Sequence, residues 1–252
     1  MSDAPPLWRD AYRVRSYEIA PDGLLTLPTL CDYLQESAGN HATALGVATD
    51  RLLDEGIAWV LTRLRVEVDR YPAWREELTV ETWPSALDRL YAQRDFVVTD
   101  ADGAEIARAT SQWFVMDVVR RRPTRPPASL AEVDRPERPH AVAPDRTPLA
   151  TLEVPEHERL FSVRRSDLDL NQHVNNVRYV EWALEAAPDA LDEHHRPHRL
   201  DVQFRAESVY GDTVRSACGV DGEGMLLHRV SRPADGRTLA LARTEWKEAK
   251  NA

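Results

Sequence analysis

Two stretches of the chain show the same order of apolar and polar positions. Residues 66–80 read VEVDRYPAWREELTV, residues 202–216 read VQFRAESVYGDTVRS, and the two align without a gap. In each stretch, alternating apolar and polar residues lie on both sides of a polar turn, which is typical of antiparallel strands joined by a short connection. The pattern therefore predicts two copies of one strand–turn–strand unit in a single chain.

A second pair of stretches extends this repeat. Residues 102–113 (DGAEIARATSQW) match residues 235–246 (DGRTLALARTEW), and both begin with Asp-Gly and end with Trp. Asp-Gly between alternating runs favours a hairpin, because Gly adopts positive φ without a steric cost. Upstream in each half lies a segment of helical pattern, in which Tyr33 is placed against Tyr179. Each half is thus predicted to run strand, helix and then long antiparallel strands.

This duplicated order of elements predicts an α+β fold of the double hot-dog type, in which each half wraps a curved antiparallel sheet around one long helix. We expect an N-terminal hot-dog over residues 8–122, a proline-rich linker over 123–157 and a C-terminal hot-dog over 158–248. Nearly half of the 17 prolines fall in the middle segment. Proline has a fixed φ and donates no amide hydrogen bond, so this segment is not expected to continue a sheet or a helix.

Composition limits the classes of function. The formal net charge of -10 argues against broad binding to nucleic acid, which requires basic side chains for the phosphates. No window approaches the ~18 apolar residues of a membrane span, and the first residues lack the basic start and apolar stretch of a secretion signal. Cys31 and Cys218 are too few for a disulfide framework or a zinc ligand set. We expect a cytoplasmic globular protein.

Polar residues crowd into one short segment just before a helical pattern. Asp169, Asn171 and His173 alternate within DLDLNQHVNN (residues 167–176), so in an extended segment their side chains would project to one side. The matching segment of the first half, EIAPDGLLTLP, contains no Asn and no His. Because the fold does not require this polar cluster in both copies, we interpret it as a candidate catalytic site. A structural role confined to the second half is the alternative.

The start of the following helix adds hydrogen-bond donors to this segment. Either Asn175 or Asn176 is expected to cap the helix, and free amides near Val174, with the positive end of the helix dipole, would stabilise an oxyanion. We therefore assign Val174 and Asn175 to the carbonyl side of the substrate. Simple helix capping is the alternative for the two Asn side chains.

A carboxylate in the second half completes the candidate site. Glu207 is predicted near the end of the first long strand after the helix, at the position where the first half has Tyr71. A partly desolvated carboxylate next to Asn171 and His173 could act as a general base on water. Taken alone, Glu207 is typical of a surface residue on a strand, and it becomes a catalytic candidate because of its expected neighbours.

Two long segments carry a family resemblance. RRSDLDLNQHVNNVRYVEWALE and WVLTRLRVEVDRYPAWREELTVETW closely resemble acyl-ACP thioesterases, and the similarity extends from about Tyr12 to Trp246. The resemblance implies hydrolysis of fatty acyl-[acyl-carrier-protein] thioesters without a metal or organic cofactor. Family members often have Cys after the matching Glu, whereas this chain has Ser208, which favours a carboxylate-and-water route over a thiol nucleophile. The implied catalytic residues are Asp169, Asn171, His173 and Glu207.

The resemblance also implies roles for these residues. Glu207 would activate water or attack directly, and Asn171 and His173 would orient the water and the thioester carbonyl. Asp169 would order the loop or the Asn side chain. The first half would supply the acyl tunnel around residues 30–45 and 59–68. Basic side chains near the tunnel mouth would meet the acidic carrier protein, and the candidates are Arg120, Arg121, Arg122 and Arg125.

Several alternatives stay open. An acyl-CoA thioesterase would use the same hydrolytic site, and a non-catalytic acyl-binding module would keep the pocket but lose the base. A hot-dog hydratase requires Asp and His five positions apart, a spacing that neither Asp167 nor Asp169 has with His173. The arginine cluster could instead be the solvated start of the linker. The chain is expected to be a monomer or a homodimer, because a fused pair already completes the unit that single hot-dogs form as dimers.

Overall fold

The chain folds into two compact units that meet in sequence at Pro144 and Asp145. The computed structural model describes residues 5–192 and 195–248. Each unit has an antiparallel sheet with one long helix packed on it. The α+β class predicted from the repeat is therefore confirmed.

The first unit is built on a long antiparallel sheet. Its helix α1 packs against β1 and β3. The strands run in the order β1-β3-β4-β5-β2, and β6 pairs with β5. The elements are β1 (Trp8–Arg13), α1 (Leu27–Ala44), α2 (Thr49–Asp54), β2 (Ile57–Val68), β3 (Glu77–Leu87), β4 (Tyr91–Asp100), β5 (Glu105–Asp117), β6 (Arg122–Thr124) and α3 (Ala128–Ala131).

The second unit repeats this plan. Its strands run in the order β8-β11-β10-β9-β7, and α4 packs on β9, β10 and β11. A single 3-10 turn, Arg165–Asp167, precedes α4. The elements are β7 (His157–Ser162), α4 (Asn176–Glu185), α5 (Asp189–Asp192), β8 (His195–Phe204), β9 (Thr213–Val220), β10 (Leu226–Arg232) and β11 (Arg237–Glu248).

The two units repeat each other down to single hydrogen bonds. In β5 the indole Nε1 of Trp113 donates to the hydroxyl of Ser111 at 2.8 Å. In β11 the indole of Trp246 donates to the hydroxyl of Thr244 at the same distance, 2.8 Å. The match that the sequence indicates between residues 102–113 and 235–246 thus holds for side chains as well as for strands.

The sequence alignment of the two long helices is wrong by just under one turn. Tyr33 of α1 stacks on Tyr12, with ring centroids 4.2 Å apart, and in α4 it is Trp182 that stacks on Phe161 in the same way, at 5.8 Å. Tyr33 therefore corresponds to Trp182 and not to Tyr179. A helix has about 3.6 residues per turn, so a shift of three positions keeps the apolar face in place and the sequence pattern cannot detect it.

The proline-rich segment contains regular structure, contrary to the expectation that it continues neither sheet nor helix. Strand β6 includes Pro123, and α3 lies a few residues further on. Proline is tolerated there because β6 is only three residues long and short edge strands leave amides unpaired. The buried side chains of Leu130 and Val142 attach this part of the chain to the first unit. The predicted linker bounds, 123–157, stay a prediction.

No helix among the residues that the structure describes combines the length and the apolar character needed to cross a membrane.

A buried histidine in the core of the second unit makes stability depend on pH. His228 on β10 is 1% exposed, and its Nε2 lies 2.8 Å from the hydroxyl of Thr244. Burial lowers the pKa of His228 to about 4, compared with about 6.5 for an exposed histidine. The unfolded chain therefore binds a proton that the folded chain does not accept until the pH is much lower.

We expect the free energy of unfolding to fall as the pH drops from about 6.5 towards 4, and His228 to contribute up to about 3 kcal/mol of that loss. The stabilisation is complete above the unfolded pKa and is lost on the way down to the folded pKa. Urea unfolding of the native chain and of His228→Gln at several pH values measures it. An equally steep loss in the variant would contradict the assignment to His228.

Candidate active site

The polar segment that precedes α4 forms a closed loop. A β-bridge joins Leu168 to Val174, and the amide of Asp169 donates to the carbonyl of His173 at 2.7 Å. Gln172 has φ 63, in the left-handed region. The prediction of an extended segment with alternating side chains is therefore wrong. Asp and Asn side chains compete for backbone amides and so favour tight loops over strands.

Asp169 orders this loop from within. Its Oδ1 accepts the backbone amide of Asn171 at 2.8 Å and that of His173 at 3.2 Å. Two amides on one carboxylate oxygen fix the direction in which the next side chains leave the backbone. Asn171 is exposed, and its side chain makes no hydrogen bond to any residue that the structure describes. Its side-chain amide is therefore available to a ligand.

His173 and Glu207 face each other. The Nε2 of His173 lies 3.6 Å from Oε2 of Glu207, and the two side chains keep 34% and 40% of their surface exposed. This separation is long for a direct hydrogen bond but well within the range of a charge pair. Half-exposed partners at this distance can both contact one water molecule. The geometry therefore allows Glu207 and His173 to act together on one water molecule, as the sequence predicts for a base and an imidazole.

Glu207 lies in a loop and not in a strand. Strand β8 ends at Phe204, and residues 205–209 have no regular structure. The loop still holds a defined position, because the amide of Val174 donates to the carbonyl of Ser208 at 2.9 Å. This bond ties the Glu207 loop to the loop that carries His173.

The same bond corrects the role assigned to Val174. Its amide was expected to help hold an oxyanion, but it is already engaged by Ser208. Asn175 is likewise occupied, because its Oδ1 accepts the amide of Val177 at 2.9 Å and caps α4. Its own amide donates to the carbonyl of Asp167 at 2.8 Å. The backbone of both residues thus serves the loop, and the capping alternative describes the Asn175 side chain correctly.

Neither Ser208 nor either of the two cysteines is placed to act as a nucleophile. Ser208 is 0% exposed, and its hydroxyl donates to Oδ2 of Asp212 at 2.7 Å. Cys31 and Cys218 are buried. Burial raises the pKa of Cys218 to about 11, and that of Cys31 further still. A thiolate or alkoxide at neutral pH is therefore not available from these groups.

The first unit contains the same loop without the Asn and the His. The bridge Leu168–Val174 corresponds to Ile19–Leu25, and Gln172 corresponds to Gly23, which has φ 83. Four backbone hydrogen bonds are the same in the two loops. In the first unit they are Ala20 N to Leu24 O, Gly23 N to Ala20 O, Leu25 N to Pro72 O and Thr26 N to Glu18 O. In the second unit, in the same order, they are Asp169 N to His173 O, Gln172 N to Asp169 O, Val174 N to Ser208 O and Asn175 N to Asp167 O.

The two loops share their backbone hydrogen bonds but differ in the side chains proposed for catalysis. Ala20 takes the place of Asp169, Leu24 that of His173, and Tyr71 that of Glu207. The loop forms in both units, so its backbone does not require the imidazole of His173 or the side-chain amide of Asn171. A carboxylate accepts the equivalent amide in each loop, Asp22 that of Leu24 and Asp169 that of His173. The polar quartet is therefore an addition to a common scaffold, and only the second unit carries it.

Sequence reasoning missed two residues that also reach the Glu207 loop. Asp212 accepts hydrogen bonds from this loop, and Arg232 contacts both Asp212 and the carbonyl of Glu207. The sequence repeat could have indicated Asp212, because it aligns with Glu76, another carboxylate. Arg232 has no such signal, because its contact depends on how β10 passes the loop.

Comparison with known proteins covers nearly the whole chain. The family model described as the acyl-ACP thioesterase N-terminal domain matches residues 6–132, and the model of the C-terminal domain matches residues 152–248. A palmitoyl-acyl carrier protein thioesterase of Gossypium hirsutum is 34% identical over 266 residues, which cover 96% of this chain and 64% of that protein. An acyl-[acyl-carrier-protein] hydrolase of Cuphea viscosissima is 32% identical and covers 97% of this chain and 62% of that protein.

The chain thus spans slightly less than two thirds of the length of these curated relatives. Solved structures match over their full length. An acyl-ACP thioesterase from Bacteroides thetaiotaomicron superposes with a TM-score of 0.87 at 27% identity, covering 98% of this chain and 100% of that chain. A 12:0-ACP thioesterase from Umbellularia californica gives a TM-score of 0.87 at 28% identity, covering 97% and 98%.

Proposed function

Because the chain belongs to the acyl-ACP thioesterase family, we propose that it hydrolyses fatty acyl-[acyl-carrier-protein] thioesters to a free fatty acid and the holo-carrier protein, and so terminates fatty acid synthesis. The observation that carries this proposal is the contact between Glu207 and His173 at 3.6 Å. It occurs in the unit that has the polar quartet, on a loop scaffold that both units share.

The proposed reaction begins with a water molecule between Glu207 and His173. The Glu207 carboxylate takes a proton from this water as its oxygen attacks the thioester carbonyl. The side-chain amide of Asn171 and the imidazole of His173 donate to the oxyanion of the tetrahedral intermediate. When the intermediate collapses, the C–S bond breaks and the proton passes to the departing thiolate. Asp169 takes no part in the proton transfer and keeps the loop in its closed form.

We infer that the acyl chain is bound by the first unit, between α1 and β2. At the start of β2, residues 57–60 are half-buried, unlike the fully buried positions further along the strand. Partial exposure of apolar side chains in a sheet is expected of a surface that a ligand covers. Trp59 is held there by a hydrogen bond from its Nε1 to the carbonyl of Val47 at 3.0 Å.

Hydrolysis of a panel of thioesters tests the proposed function. Acyl carrier protein thioesters of graded chain length and the matching CoA thioesters are supplied to the native chain, and free thiol is measured. We expect turnover of the carrier-protein series with a length optimum. Turnover of CoA thioesters alone would support the acyl-CoA thioesterase, and binding without any turnover would support the acyl-binding module.

Arginines in the turn between β5 and β6, in β6 and directly after it are the proposed contact for the carrier protein. Arg121, Arg122 and Arg125 are exposed, which suits an acidic partner on a chain that carries a net charge of -10. We expect reversal of these three charges to Glu to raise KM for acyl carrier protein thioesters about 10-fold at low salt, since rim charges act mainly on association. Turnover of CoA thioesters should not change.

Arg215→Glu, which reverses an exposed charge on β9, serves as the control for that experiment. If the triple reversal left KM for carrier-bound substrate unchanged, the three arginines would be no more than a solvated start of the linker.

The proposed activity requires no second copy of the chain, because its two hot-dog units supply the pair that single-unit hot-dogs form as dimers. The two buried free thiols suit a reducing compartment such as the cytoplasm.

A further inference from the structure

The backbone around Glu207 is held on both sides, although its side chain is half-exposed. The amides of Arg205 and Ala206 both donate to the carbonyl of Leu239, at 2.8 and 3.2 Å. The carbonyl of Ser208 accepts the amide of Val174. A loop without regular structure thus has a fixed course directly before and after the proposed base.

Asp212 fixes the part of the loop that follows Glu207. Its Oδ2 accepts the hydroxyl of Ser208 at 2.7 Å, the amide of Val209 at 3.1 Å and Nη1 of Arg232 at 3.0 Å. Burial by itself would raise the pKa of Asp212, but these hydrogen bonds outweigh it and hold the pKa below its usual value. The carboxylate is therefore ionised at neutral pH and binds all three donors at once.

Arg232 connects this carboxylate to the sheet. From the last position of β10 its Nη1 also approaches the carbonyl of Glu207, at 3.4 Å. Its other nitrogens bind Asp235 at 2.8 and 3.2 Å. Because Asp235 lies in the turn between β10 and β11, the guanidinium joins the Glu207 loop to the β10–β11 hairpin.

We propose that Asp212 and Arg232 are positioning residues for Glu207, which fix the loop so that its carboxylate stays within reach of His173 and the attacking water. This inference rests on the proposed function. Neither residue is expected to touch the substrate, and both act through the backbone of Glu207 and Ser208. A displacement of about 1 Å at a reacting group can cost about 100-fold in rate, so the effect on kcat should be large.

The first unit shows what the turn requires for structure alone. Glu76 corresponds to Asp212 and accepts the amide of Ala73 at 2.9 Å, as Asp212 accepts Val209. Its arginine, however, is Arg70, only 6 positions away in the same loop, whereas Arg232 is 20 positions from Asp212 and comes from a strand. Arg70 also binds Asp100 at the end of β4 at 2.8 Å, so an ion pair links loop and strand in both units. In the second unit the arginine of this link comes from the strand and also approaches the carbonyl of Glu207, whose position in the first unit is occupied by Tyr71.

The test compares matched substitutions in the two units. Arg232→Met and Asp212→Asn remove the positioning contacts, and Arg70→Met and Glu76→Gln remove the corresponding structural contacts. We expect the first pair to lower kcat by about 10- to 100-fold with KM within about 2-fold, and Arg232→Lys, which keeps the charge, to restore much of kcat. The control pair should lower the thermal midpoint similarly but leave kcat of the folded protein within about 2-fold.

A second readout does not depend on activity. Hydrogen exchange of the Val174 amide reports on its bond to Ser208, and we expect it to become about 10-fold faster in Arg232→Met and Asp212→Asn. Equal losses of kcat in both pairs, or unchanged kcat and exchange in the first pair, would overturn the positioning role. An inactive native chain would refute the proposed function instead, and exchange at Val174 would then decide the positioning role alone.

Discussion

Replacement of Glu207 with Gln is expected to lower kcat for thioester hydrolysis by about 1,000-fold, within the range of general acid–base catalysis. Gln has the same shape but cannot accept the proton of the attacking water. Because the Glu207 side chain is 40% exposed, the substitution should change the free energy of unfolding by no more than about 0.5 kcal/mol. Steady-state kinetics together with urea unfolding measure both effects.

The control for this substitution is Glu223→Gln. Glu223 is an exposed glutamate of the second unit that pairs with Arg243 at 2.6 Å, and its substitution should leave kcat unchanged. His173→Ala combined with Glu207→Gln should be little worse than Glu207→Gln alone, since residues that act as one unit are not additive. A Glu207→Gln enzyme that kept a tenth or more of the native kcat would remove Glu207 from the proposed mechanism.

Oxygen labelling separates the two roles that Glu207 can play. In a single turnover in ¹⁸O-labelled water, a general base leaves the label in the fatty acid. Direct attack would form a mixed anhydride between the acyl group and Glu207. Water that attacks its acyl carbon puts the label in the fatty acid, and water that attacks the Glu207 carbon puts the label in the enzyme. Label in the Glu207 carboxylate after several turnovers would therefore establish direct attack.

Replacement of Asn171 with Ala is expected to lower kcat by about 100- to 1,000-fold, the usual effect of removing one oxyanion donor. Its side chain is exposed and makes no hydrogen bond to the residues that the structure describes. The free energy of unfolding should therefore stay within about 0.5 kcal/mol of the native value. Asn171→Asp, which accepts but does not donate when ionised, should lose as much activity as Asn171→Ala.

The matching position in the first unit supplies the control. Asp22 lies in the equivalent loop, and its Oδ1 accepts the amide of Leu24 at 3.1 Å. Asp22→Ala should lower the unfolding free energy by about 1 kcal/mol, as expected for loss of a local hydrogen bond, and should leave kcat unchanged. If Asn171→Ala instead destabilised the protein and kept its activity, Asn171 would be a loop residue and not an oxyanion donor.

Much of the fold and of the candidate site is visible in the sequence because the chain is duplicated. The alternation of apolar residues predicts the strands, and the match between the halves predicts one helix and one sheet in each. The same match places Tyr71 against Glu207, which equivalent backbone hydrogen bonds in the two units support. A residue that differs between two copies of one scaffold is a candidate for chemistry, and this argument requires no coordinates.

The details that depend on distant segments were beyond the sequence. The loop at Asp169 closes on itself, and the Val174 amide finds its acceptor at Ser208, far along the chain. Which carbonyl an amide reaches depends on how the segments pack, and no local pattern encodes it. The assignment of Val174 to an oxyanion was wrong for this reason.

By itself the sequence determined the two-fold repeat, the α+β class and the set of polar residues that only the second half possesses, because periodicity and composition are local properties of the chain. The tertiary structure decided that His173 and Glu207 lie 3.6 Å apart and that Asp212 and Arg232 both contact the Glu207 loop. These contacts join residues that are separated along the chain, and only the packing of strands and loops brings such residues together.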